Sequence, residues 1–94
     1  MFVLALEVDL HINDSRSLKA KRRVVKAIVD GARHRFSVAA AEVGFHDQWQ
    51  RAGLGFAAVA GTERHVTDVV DAVERFVWSH PEVEVINAER RWLE

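Results

Sequence analysis

The sequence predicts an α+β domain, a four-stranded antiparallel sheet with both helices on one face. Three observations carry this. Phe2 to Ile12 alternates with a period of two, which is the signature of a strand with one buried side. Two later stretches place apolar residues at helical spacing instead. The segments also run strand, helix, strand and then strand, helix, strand, an internal echo with no linker between its halves. The order βαββαβ is the split-βαβ, ferredoxin-like pattern, and it assigns residues 1–94 to a single domain.

In the first strand Phe2, Leu4, Leu6, Val8, Leu10 and Ile12 share one side. Val3, Ala5, Glu7, Asp9 and His11 share the other, the side expected to be left open because the helices cover only one face. Asn13 to Arg16 is turn chemistry, and Ser17 is placed to cap a helix by accepting an amide proton of the first turn. The stripe of that helix is Leu18, Val25, Ile28, Val29, Ala32 and Phe36. Lys21 projects into the stripe, so it must snorkel or meet a carboxylate. Val38 to Phe45 is a second strand whose parity is mixed, and a bulge near Ala41 and Glu42 would reconcile it. His46 to Arg51 is a polar connection. Leu54 to Ala60 is the third strand, Thr62 caps the second helix, and Val66, Val69, Val70, Val73, Phe76 and Val77 form its stripe. His80-Pro81 ends it, and Val83 to Trp92 is the last strand.

Composition removes several function classes. There is no cysteine, which excludes disulfides, thiol catalysis and thiolate zinc sites and fits a reducing cytosol. The start lacks a basic leader, and no run reaches the length of a bilayer span, so a cytoplasmic protein without membrane contact is expected. Gly53-x-Gly55 precedes a strand and fails the context of a dinucleotide loop. His46-Asp47 invites a metal or an acid–base pair, but no third ligand follows at a diagnostic spacing, and a packed loop turn is the commoner outcome. No catalytic residue, metal or cofactor is expected.

Charge is the main functional signal. Eight of the 13 lysines and arginines fall between Arg16 and Arg35, with Asp30 the only acid among them. That stretch is therefore +7 and the remainder −8, which a formal net charge of −1 conceals. The cations crowd the start of a helix, where the macrodipole disfavours them, beside the free amides of the first turn. A phosphate or nucleic-acid backbone would satisfy such a place. Lys19, Lys21, Arg22, Arg23, Lys26 and Arg33 are the candidate phosphate contacts, and Trp49 with Arg51 offers an aromatic plane beside a guanidinium for stacking. The competing reading is a solvated face paired with the chain's own acids, chiefly Glu42, Asp47 and the row Asp68, Asp71 and Glu74. Base readout on the open sheet face is not expected, because that face lacks an aromatic run.

Ser17-Leu18-Lys19-x-Lys21-Arg22-Arg23-Val24-Val25-Lys26, then Val38-x-x-Ala41-Glu42-Val43, then Asp47-x-Trp49-Gln50-Arg51-Ala52 resemble a small bacterial family of unknown function, the YlxP-like proteins. The resemblance spans nearly the whole chain. It implies a ferredoxin-like fold and a translation setting, since genes of this family often adjoin those for a translation initiation factor and ribosome-binding factor A. It carries over no catalytic residues. Together these features favour a non-enzymatic accessory factor binding RNA or a ribosomal particle through the basic first helix. The alternative is a homodimeric protein-interaction module that uses the open sheet face, without nucleic acid. A small-molecule regulatory or enzymatic domain rests on fold analogy alone and ranks last.

Overall fold

A computed structural model describes residues 1–94 and has the expected order: β1 (Phe2–Ile12), α1 (Leu18–Phe36), β2 (Ala39–Gly44), β3 (Arg51–Ala60), α2 (Glu63–Trp78) and β4 (Val83–Trp92). The strands form one sheet in the order β2-β3-β1-β4, with every neighbouring pair antiparallel. This is the ferredoxin-like arrangement. The alternation of β1 holds throughout: Leu4, Leu6, Val8, Leu10 and Ile12 are buried, while Val3, Ala5, Glu7, Asp9 and His11 line the opposite face.

Both helices lay their stripes on the buried side. Val25, Ile28, Val29 and Ala32 of α1 and Val66, Val70, Val73 and Val77 of α2 join Leu54, Phe56 and the even residues of β1 in one core. Ser17 caps α1 by accepting from the Ala20 amide at 3.0 Å, and Thr62 caps α2 by accepting from His65 at 3.1 Å. The helices touch where α1 has no side chain. A Cβ on Gly31 would lie 2.6 Å from the Phe76 ring, which packs edge-on against Phe36.

Three details differ from the expected elements. β3 begins at Arg51 rather than Leu54, because Arg51 pairs with His11 and joins the ladder. The irregularity in β2 falls one step later than expected: Glu42 opposes Leu54 and Gly44 opposes Gly53, leaving Val43 as the extra residue. A second bulge lies in β4, where Asp9 opposes Asn87 and Leu10 opposes Val85, so Ile86 is extra. No helix is long and apolar enough to cross a membrane.

Candidate nucleic-acid interface

The eight candidate residues separate into four groups. Lys19, Arg22 and Arg23 are exposed on the first two turns of α1, and none makes an ion pair. α1 carries no acid in its first turn, so nothing local offsets these cations. Of the acids proposed as neutralisers, Glu42 pairs with Lys21 of the basic stretch, and the others bind a cation outside it or none. Asp71 and Glu74 of α2 both bind Arg90 of β4, at 2.7 and 2.9 Å, and Asp47 holds no cation.

Lys26 and Arg33 share Asp30. The Lys26 ammonium lies 2.7 Å from Asp30, and Arg33 approaches the same carboxylate at 3.5 Å while donating to the Ala40 carbonyl. The hydrogen bond from Lys26, helped by the charges of Lys26 and Arg33, holds the Asp30 carboxyl below its ordinary value of 3.8 against an opposing effect of desolvation. Lys26 remains 77% exposed, and a pair so open to water is held weakly. Both residues stay on the outer flank of α1, but half-neutralised.

Lys21 and Arg51 are engaged within the fold and are not part of this exposed flank. Lys21 is 1% exposed and points inward, as its place in the apolar stripe foretold. Its ammonium donates to the Phe45 carbonyl at 2.6 Å and sits 2.9 Å from a Glu42 carboxylate oxygen, with the His46 carbonyl at 3.4 Å. That Glu42 oxygen is close enough for an ion pair but has no aligned hydrogen-bond donor, so the attraction is coulombic. A phosphate cannot reach this ammonium. Its role is to fasten the β2–β3 connection to the start of α1. Arg51 is spent on the other side of the sheet. Its guanidinium grips Asp9 at 2.9 and 2.6 Å and lies 4.4 Å over the Phe45 ring. The Asp9 bond raises the Arg51 pKa further. It is therefore no stacking partner for a base beside Trp49.

Trp49 is 54% exposed on the connection between β2 and β3. That connection is tied to the helix start at two points. Lys21 holds Phe45, and Gln50 donates to the Ser15 carbonyl at 3.2 Å, just before the Ser17 cap. The tryptophan thus stands at the same end of the molecule as Lys19 and Arg22. Arg16, exposed and free of ion pairs in the turn before the cap, joins this group. Its place at the head of the basic stretch was the available signal. No group of three His, Cys, Asp or Glu side chains converges as metal ligands.

The matching family is described as a protein of unknown function (DUF503), and its model covers residues 3–90. The chain belongs to this family. A relative, the uncharacterized protein YlxP of Bacillus subtilis (strain 168), is 35% identical over 87 residues, covering 93% of this chain and 95% of that protein. Among solved structures, a de novo designed protein with a ferredoxin fold superposes with a TM-score of 0.58 at 12% identity, covering all of this chain and 87% of that one. The designed protein speaks to fold alone. The basic start of α1, with Lys21 turned inward and its neighbours outward, is therefore a feature of a member of the DUF503 family.

Proposed function

We propose that this protein is a non-enzymatic accessory factor that binds RNA, free or within a ribosomal particle, at the start of α1. Lys19, Arg22, Arg23 and Arg16 meet the phosphates, Lys26 and Arg33 extend the contact along the helix, and the exposed Trp49 stacks on an unpaired base. The observation that carries this reading is the trio Lys19, Arg22 and Arg23, exposed at the start of α1 and paired with no carboxylate. Cations at a helix start oppose the macrodipole, so the arrangement works against stability and in favour of an anion.

Binding of the full chain to a labelled ribosomal RNA fragment, followed by anisotropy across a salt series, tests it. Each phosphate contact on a single strand contributes a slope of about −0.7 in log affinity against log salt. Arg22→Glu with Arg23→Glu is expected to lower affinity by at least about tenfold and flatten that slope. Arg64→Glu, on the exposed first turn of α2, controls for overall charge. Equal affinity in the double variant and this control would overturn the reading.

A further inference from the structure

The sheet has two free edges, and the chain treats them differently. Leu93 donates its amide to the Val3 carbonyl at 3.0 Å, so the backbone groups of odd β1 residues turn toward β4. Successive residues alternate in direction, so even residues of β1 turn toward β3, as the Ile12 amide does in donating to Gln50 at 2.9 Å. Carried through the registers, this points Ala40 and Glu42 of β2 away from the sheet, and likewise Ala88, Arg90 and Trp92 of β4. Both outward carbonyls of β2 are occupied. Arg33 donates to Ala40, and the His46 ring meets Glu42 at 3.3 Å. With only six residues and a bulge, β2 is a protected edge.

β4 has no such protection. It is ten residues long, and no side chain bonds its outward backbone. Large apolar residues stand along it: Ile86 and Trp92 are 50% and 46% exposed. Trp78 follows Glu74 by one turn of α2, on the flank that reaches Arg90, and is 59% exposed. One helical turn is about 5.4 Å and two strand residues are about 6.6 Å, which sets Trp78 level with Ala88.

We infer that the β4 edge pairs with β4 of a second copy, antiparallel about a two-fold axis at Ala88, to give a continuous eight-stranded sheet. The sequence of β4 is complementary to itself in this register. Ala88 meets Ala88, the one small residue at the level of Trp78, so the tryptophans of the two copies close over the axis. Asn87 falls opposite the partner's Glu89. Once the extra residue at the bulge is counted, Arg91 falls opposite the partner's Glu84 and Trp92 opposite the partner's Val83. An axis at Glu89 or Arg90 would oppose like charges and use only the end of the strand. The join leaves both β2 edges, and the α1 basic flank that reaches over each, at opposite ends of the dimer. It is therefore independent of the nucleic-acid reading.

Sedimentation equilibrium on the full chain, from low micromolar to near millimolar, tests the inference. The expected mass is twice the 10.6 kDa of one chain. The Ala88 amide points away from β1, so Ala88→Pro removes a donor to the partner and none within the chain. It should weaken the dimer by more than about tenfold while leaving the circular dichroism spectrum unchanged. Glu84→Arg should weaken it, and Glu84→Arg with Arg91→Glu should restore it, which keeps the inference testable if the proline variant misfolds. A chain that stays at monomer mass throughout, or a dimer indifferent to Glu84→Arg and unaffected by a folded Ala88→Pro, would overturn it.

Discussion

α1 and α2 both lay an apolar stripe on the same side of the sheet, yet they dispose of their charges in opposite ways. α2 begins with Thr62 and Glu63, an acid where the macrodipole wants one, and its flanking acids Asp71 and Glu74 bind Arg90 of β4. These three charges serve the fold. α1 has no acid in its first turn, and Lys19, Arg22 and Arg23 bind nothing within the chain. Its one buried cation, Lys21, does structural work, and the cations around it do not. The lesson is that charge density alone did not separate the two kinds of lysine. Direction did: Lys21 lies within the stripe, and its neighbours lie beside it.

The largest way to break the contrast is to remove the structural cation. Lys21→Ala strands Glu42 and uncaps the Phe45 carbonyl, and breaking a buried pair in this way costs about 3 kcal/mol. Urea denaturation should show that loss. Lys21→Met with Glu42→Gln should recover part of it, because no charge is then left unpaired. The counterpart on α2 is smaller. Partial burial works against the Arg90 charge, but its bonds to Glu74 and Asp71 prevail and its pKa is raised. The pair is a third exposed, so Arg90→Ala should cost only about 1 kcal/mol by the same measurement.

These two sites also mark what could be read from the sequence. The period of β1, both caps and both stripes were legible, because each depends on neighbours within a few residues. Lys21 was legible as an anomaly of direction. Its acceptors were not, since the carbonyls of Phe45 and His46 carry no signature in the sequence and depend on how the chain turns after Glu42, with Phe45 in a left-handed conformation at φ 58°. The engagement of Arg51 was hidden for a related reason. Asp9 is 42 residues away, and only the register of β1 against β3 puts the two on one face. The bulge at Ile86, which shifts every later β4 residue to its face, was equally invisible, because the segment shows no break in composition there.

A substitution at the first turn sharpens the comparison by making α1 resemble α2. Lys19→Glu gives α1 the acid that Glu63 gives α2. Stability should rise by about 0.5 kcal/mol from the macrodipole, seen as a higher midpoint in thermal unfolding, while RNA affinity falls. A fold-serving residue would move both in the same direction. Opposite movement is the mark of a residue held for binding.

The smallest expected effect falls on Asp30, the acid that half-neutralises the flank. Its carboxyl is held below 3.8, so the stability it lends is present above that value and is lost as pH falls through the lower, folded-state value. The pair is exposed and screened, so Asp30→Asn should barely change the unfolding midpoint at neutral pH. It should nonetheless free Lys26 and leave Arg33, still bonded to the Ala40 carbonyl, with its charge unneutralised. RNA affinity at low salt is then expected to rise a few-fold, with a steeper salt dependence, because two more positive charges become available to displace counterions. If affinity does not change, the outer flank of α1 beyond Arg23 takes no part in binding, and the interface shrinks to the helix start and Trp49.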